Sequence, residues 1–226
     1  YQLNSWLRTY ANFGMSYRIP TYTDLYYVGP TNIGNDQLKP EKAINYEGGF
    51  KILKKGFRAE IVYFNRHTDN LIEWTRADTE SPWVPQNFNE VTFQGIETGV
   101  QYQFTNGQND FKLREISISY NFIDANLIEK EGIETRYSLT ALRHQLITGL
   151  QLAYKENLEL TAKMRYIERM SLDPYLLLDA RVDFNRLKKF SFFAEISNIS
   201  NTDYVEAGTV QMPGRWARAG MNFRLK

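Results

Sequence analysis

The chain has no cysteine, only two histidines, and no run of apolar residues long enough for a transmembrane helix. Each absence excludes something. Without cysteine there is no disulfide framework and no thiolate metal site. Without a long apolar run no helix can cross a membrane, but a barrel strand leaves only a weak alternating signal and stays open. Charge of one sign is also lacking: 27 Lys and Arg against 26 Asp and Glu leave a formal net charge of +1, so nothing calls for nucleic acid as a partner. Histidine-based hydrolysis has little to draw on. A protease or lipase needs a histidine paired with a carboxylate or serine at one site. His67 opens a polar connection beside Asp69, and His144 falls on an apolar parity near a segment end. The chain is therefore read as a non-enzyme. No signal peptide opens it, and Tyr1 stands in mid-pattern.

What is abundant is aromatic: 15 Tyr, 14 Phe and 4 Trp. Helical periodicity is nearly absent, whereas period-two alternation recurs ten times, over residues 7–17, 44–52, 57–63, 96–104, 116–122, 146–154, 158–166, 176–184, 190–196 and 217–225. In the first, Leu7, Thr9, Ala11, Phe13, Met15 and Tyr17 share one face and Arg8, Tyr10, Asn12, Gly14, Ser16 and Arg18 the other. None of the ten apolar faces carries Asp, Glu, Lys or Arg, while the opposite faces hold all four. A basic residue facing lipid at the midplane costs about 2–4 kcal/mol, so a lipid-facing surface should exclude it. Many segments approach the length a tilted strand needs to span hydrocarbon. Tyr and Phe cluster near segment ends, as Tyr17, Tyr46, Tyr63, Tyr102, Phe104, Tyr154, Tyr166 and Phe184, which suits interfacial girdles.

A soluble sandwich or barrel alternates as well, and the connections argue against it. After the second, fourth, sixth and eighth segments they are short: 54–56, 105–110, 155–157 and 185–189. After the odd segments they are mostly long: 19–42, 67–90, 125–143, 168–175 and 198–214. Alternation of this kind puts every long loop on one side, as in outer-membrane barrels. The ending Arg218, Gly220, Phe223, Leu225 resembles the terminal recognition signal of such barrels, read by the barrel assembly machinery, although Leu225 and Lys226 follow the last aromatic. The last strand should run inward to the periplasm and the first outward. The expected fold is all-β: an antiparallel transmembrane β-barrel.

Three stretches resemble the C-terminal half of the TonB-dependent outer-membrane receptor barrel. The first is Arg18, Pro20, Leu25-Tyr26, Gly34-Asn35, Leu38, Pro40-Glu41 and Tyr46-Glu47; the second is Asn87 to Glu97. The third runs from Leu178-Asp179-Ala180-Arg181 through Asn198 to Tyr204 and Pro213-Gly214-Arg215, with Ser200 and Asn201 departing from the family's usual residues. Physically, Pro20 and Pro40 should stop the flanking strands, because proline cannot donate to a ladder. Gly34-Asn35 should permit a tight turn. The resemblance implies that residues 1–226 are the last ten of about 22 strands, with the plug domain and N-terminal strands elsewhere. It implies TonB-energised uptake of a large scarce nutrient across the outer membrane of a Gram-negative bacterium. Residues 25–35 look most like cobalamin-receptor members, with ferric siderophore and haem receptors close behind. TonB would act through the part that is not in this chain, and a surface lipoprotein is a further expected partner. No resident cofactor is expected; the cargo would carry cobalt or iron. A stand-alone ten-stranded pore or adhesin is the alternative.

Candidate ligand contacts are the aromatics and arginines of the expected external loops: Tyr22, Tyr26, Tyr27, Trp74, Arg76, Trp83, Arg136, Tyr137, Tyr175 and Tyr204. They suit a flat polar macrocycle or a catecholate, and each also has a plain reading as loop packing. His67 is the one loop histidine that could reach a haem iron. Asp78, Glu80 and Asp203 could take calcium, though their spacing matches no defined loop. On the charged face Asp179, Arg181, Asp183, Glu195 and Arg218 should pair across neighbouring strands, as lining first and plug contact second.

Overall fold

The computed structural model describes residues 1–105, 110–126, 133–136, 142–155, 157–170, 172–185, 190–206 and 210–223. Its strands are β1 (Leu7–Arg18), β2 (Glu41–Lys54), β3 (Phe57–Arg76), β4 (Val84–Gln103), β5 (Phe111–Asn126), β6 (Glu134–Thr135), β7 (Leu142–Tyr154), β8 (Leu158–Arg169), β9 (Tyr175–Phe184), β10 (Phe190–Ser197) and β11 (Trp216–Phe223). One short helix, α1 (Tyr22–Tyr26), follows β1. The ten alternating segments are thus ten antiparallel strands, joined as a meander in the order β1-β2-β3-β4-β5-β7-β8-β9-β10-β11, with β6 added to the end of β3. Among the described residues β1 and β11 do not pair with each other, so the sheet is open. Among the described residues no helix is long and apolar enough to cross a membrane. Arg224, Leu225 and Lys226 lie outside the described residues.

The registers keep the apolar parity in line across the whole sheet. Phe13 faces Tyr46, Phe50 faces Ile61, Tyr63 faces Ile96, Val100 faces Ile118 and Ile116 faces Leu150. Met164 then faces Leu178, Leu160 faces Val182 and Phe192 faces Met221. Phe13, Phe50, Ile61, Tyr63, Ile118, Leu150, Leu178, Phe192 and Met221 are all exposed. Soluble proteins rarely leave an apolar surface of that extent bare; it marks a membrane or partner interface. Among the described residues the buried apolar side chains are few and scattered, with a single small cluster of Ile167, Tyr175 and Leu177, backed by Leu142 and Tyr204. A soluble domain of this size would bury most of its apolar surface in a central core. At the end with the short turns, rings pack as Phe57–Tyr102 (6.4 Å), Tyr102–Phe104 (4.6 Å), Phe111–Tyr154 (4.9 Å) and Phe190–Phe223 (4.9 Å). This is the aromatic belt expected where strands leave the hydrocarbon.

Pro20 and Pro40 bound the strands as expected, since β1 ends at Arg18 and β2 starts at Glu41. The connections need correction. β3 and β4 each run for 20 residues, about twice the span of a bilayer. The expected loop 67–90 shrinks to the tip 77–83, and the β8–β9 connection to 170–174. The expectation failed there because alternation with charged residues on both faces, as at Arg66 to Arg76, does not look like a membrane strand. It is a β-hairpin with polar residues on both faces. Gly34 also differs: its φ is ordinary, and its need for glycine is spatial. A Cβ there would meet the Leu25 carbonyl carbon at 2.7 Å and the Tyr26 nitrogen at 2.8 Å. The tight turn falls just after Gly34, at Asp36-Gln37, where the Asn35 side-chain oxygen accepts the Gln37 amide at 3.0 Å.

Candidate functional site

The rim opposite the short turns is built around α1. A five-residue helix has little stability of its own, and here a capping box holds it. The Asp24 amide donates to the Thr21 hydroxyl at 3.2 Å, while the Asp24 carboxylate accepts from the Thr21 amide at 2.9 Å. Asp24 is buried, 3% exposed, and its carboxylate also accepts the Trp74 indole N–H at 3.0 Å and faces Arg18 at 3.5 Å. Burial pushes its pKa up, but the Thr21 and Trp74 hydrogen bonds and the Arg18 charge outweigh that and hold it below the ordinary carboxylate value. Arg18 also donates to Glu41 at 2.9 Å, and the Ile72 amide donates to the same Glu41 oxygen at 3.1 Å. Asn35 donates to the Pro85 carbonyl at 3.1 Å, and Asn87 exchanges two bonds with the Lys39 backbone at 2.8 and 3.0 Å. Arg18, Asp24, Asn35, Glu41 and Asn87 therefore clamp the 19–40 connection onto the β3–β4 hairpin. Sequence reasoning did not single these out as site residues, because it looked for aromatics rather than for polar residues flanking the prolines.

Above the clamp, Trp83 is where several segments meet. Its amide donates to the Thr31 carbonyl at 2.8 Å, and its carbonyl accepts from the Ile33 amide at 2.9 Å. The Arg76 guanidinium stacks over its ring at 4.6 Å and that of Arg136 lies 5.8 Å from it. Arg76 is paired with Glu134 at 2.6 Å, and the Arg136 amide donates to the Trp74 carbonyl at 2.9 Å. With its amide nitrogen turned to Thr31, Asn32 presents its oxygen to Arg136 at 3.0 Å. Pro30, Asn32, Arg76, Glu80, Trp83 and Arg136 line a cavity open to the outside. It offers an aromatic face, guanidinium donors and a carboxylate.

The other candidates separate. Tyr22, Tyr26 and Tyr27 are exposed on or beside α1, with the Tyr22 and Tyr26 rings 5.2 Å apart. Trp74 and Tyr175 are corrected: they lie in β3 and β9 rather than in loops, and they are 6% and 5% exposed. Trp74 is covered by the clamped connection, and Tyr175 packs on Tyr204 with ring centroids 4.6 Å apart. Arg76 and His67 likewise lie in β3, and Tyr137 lies outside the described residues. The Asp78 carboxylate caps the 77–83 tip, accepting the Glu80 and Ser81 amides at 2.9 and 2.8 Å. Among the described residues Asp78, Glu80 and Asp203 do not form a three-acid metal cluster.

On the charged face the expected pairing is present. Arg181 grips Asp183 through two bonds of 2.6 and 2.7 Å and reaches Glu195 at 3.1 Å. Glu195 also accepts from Arg218 at 2.8 Å, and Asp179 accepts from Arg165 at 2.9 Å. Arg181 stands opposite Glu195 in the ladder, and Glu195 opposite Arg218.

An open antiparallel meander with a bare apolar face, an aromatic rim at the short turns and a clamped cap at the other end defines part of a membrane-type β-barrel wall. The chain belongs to the TonB-dependent receptor-like β-barrel family, whose model matches residues 1–199. Among curated proteins it is 27% identical to the vitamin B12 transporter BtuB of Photobacterium profundum, over 99% of this chain and 36% of that protein. Among solved structures it resembles the copper transporter OprC, with a TM-score of 0.76 at 16% identity over 96% of this chain and 37% of the other. It also resembles the siderophore receptor PirA from Pseudomonas aeruginosa, with a TM-score of 0.70 at 16% identity over 98% of this chain and 38% of the other. At such identity the structures speak for the fold alone. The chain spans little more than a third of the length of these relatives.

Proposed function

We propose that residues 1–226 form the C-terminal part of the barrel of an outer-membrane receptor that takes up a large scarce nutrient with energy delivered through TonB. A cobalamin is the first candidate, and a ferric siderophore or haem comes next. The plug domain, the TonB contact and the N-terminal strands would lie in the rest of the protein. One observation carries most weight: the likeness to a vitamin B12 transporter extends over 99% of the chain, including the clamped rim. The rim chemistry agrees with it. Trp83, Arg76 and Arg136, with exposed Tyr22, Tyr26 and Tyr27, present flat apolar faces beside hydrogen-bond donors, which suits a macrocycle edged with amides. The Arg181–Asp183–Glu195–Arg218 network would line the lumen against the plug.

The test is cobalamin binding and uptake by the product of the complete gene, in cells with and without TonB. The expected result is tight binding in both and accumulation only with TonB. Binding of a ferric chelate instead of a cobalamin would keep the receptor and change its cargo. Uptake indifferent to TonB would overturn the reading in favour of a passive pore.

A further inference from the structure

The geometry points to a divalent metal site on the outward face of the barrel, made by His67, Asp69 and Glu90, separate from the rim that would meet the cargo. We propose that it binds a cation of the zinc class, which accepts imidazole nitrogen together with carboxylate oxygen.

His67 and Asp69 are two apart on β3, so both point to the parity that carries Phe57, Ile61 and Tyr63. Glu90 on β4 stands directly opposite Asp69, and Thr92 opposite His67. One donor atom from each of His67, Asp69 and Glu90 lies within 4.8 Å of the others. The His67 Nε2 to Asp69 Oδ1 distance is 3.6 Å. Two ligands on one tetrahedral zinc, each about 2.0–2.2 Å from the metal, stand roughly 3.3–3.6 Å apart. His67 and Asp69 are therefore already at coordinating separation, and the exposed Glu90 side chain needs only to rotate. The other ring nitrogen, His67 Nδ1, is 3.1 Å from the Thr92 hydroxyl. A proton donated from Nδ1 to Thr92 leaves the Nε2 lone pair facing Asp69, the tautomer that metal-binding histidines adopt with help from an outer partner.

The charges give a second argument. Like charges directly opposite on paired strands destabilise the ladder, and Asp69 and Glu90 are such a pair. Among the described residues neither is ion-paired with Lys or Arg. Lys42, the neighbour of Asp69 on the other strand, lies over the Tyr17 ring at 6.0 Å instead. A cation between the two carboxylates would remove the repulsion.

The location explains why such groups can face outward at all. His67 is ten residues above Phe57 of the inner aromatic belt. At about 3.3 Å per residue and a tilt near 40°, that is roughly 25 Å, the height of the lipid-facing band. The cluster then sits at the level of the outer headgroups, where water or a phosphate oxygen can complete the coordination.

Zinc binding should be measured by calorimetry on the product of the complete gene, folded in detergent. The unaltered protein is expected to bind about one equivalent more than His67→Ala. Asp69→Asn and Glu90→Gln should each weaken that equivalent at least tenfold. Thr92→Val keeps all three ligands and should weaken it by about 10- to 100-fold. Heat-modifiable gel mobility confirms folding of each variant. With Cu²⁺ as the probe, the electron paramagnetic resonance spectrum should show coupling to nitrogen that His67→Ala removes. Equal zinc stoichiometry and affinity in all variants, or a copper spectrum unchanged by His67→Ala, would overturn the proposal. Cargo uptake should be unaffected by Asp69→Asn, so failure of this site leaves the transport reading standing, and the reverse holds too.

Discussion

Asp24 and Trp74 show how a single pair of side chains decides what an outer loop can do. The Asp24 side chain is 5% exposed, and its carboxylate joins α1, β1 and β3 through Thr21, Arg18 and Trp74. A hydrogen bond to a buried charge contributes about 1.5–3 kcal/mol. Trp74→Phe, which deletes the donor and part of the buried indole, should therefore loosen the 19–40 connection by at least that amount, read as faster amide exchange at Leu25 and Asn35. Asp24→Asn should do at least as much. The pH dependence follows from the lowered Asp24 pKa: protection is complete above the ordinary value of 3.8 and is lost only as pH falls below it through the folded value. Loss of protection already at about pH 5 to 6 would contradict this. Trp83 is different, since its ring faces the cavity as well as two guanidiniums. Trp83→Ala should weaken cargo binding about tenfold or more while leaving exchange at Leu25 unchanged. From residue types alone Trp74 and Trp83 were equivalent candidates. What separates them is a fold-level fact, the closing of the 19–40 connection over β3, which no local pattern announces.

At the scale of strands, legibility followed the environment. Within the bilayer one face meets lipid and the other a polar lumen, so alternation is clean, and all ten segments are strands with the expected parity. Toward the end away from the short turns both faces of β3 and β4 carry polar residues, so alternation fades and a hairpin reads as a loop. β6, two residues long and paired to the end of β3, carries no periodic signal at all. The parity assignment has a direct test. Leu150 and Leu178 lie on the apolar face of β7 and β9, and Gln151 lies on the opposite face, across from Glu115 and Thr161. Leu150→Arg and Leu178→Arg should each cost about 2–4 kcal/mol near the midplane and reduce the folded fraction in membranes. Gln151→Arg, next to Glu115, should be tolerated. Folded yield measured by heat-modifiable mobility decides it; equal yields for all three would mean that the faces are reversed.

For the molecule as a whole, the orientation and the open sheet are the two consequences of stacking ten strands in sequence order. The clamp, α1 and the 77–83 tip are at one end, and the turns at 55–56 and 155–157 are at the other. Cysteines introduced at Trp83 and Val205 should react with an impermeant label on intact cells, and cysteines at Lys55 and Lys155 should not. The edges make a sharper prediction. β1 and β11 each leave a row of backbone donors and acceptors without a strand partner among the described residues. In hydrocarbon each such group costs several kcal/mol, so an open edge cannot persist there. Ten strands could in principle curl into a small closed barrel. Here the two edge strands do not meet among the described residues, so the ten strands stand as an open sheet. Residues 1–226 expressed alone should therefore aggregate or form oligomers by edge pairing, whereas the complete gene product should give a heat-modifiable monomer. A stable monomer of these residues that conducts ions across a planar bilayer would show that the sheet closes on itself, and the chain would then be a pore rather than part of a receptor wall.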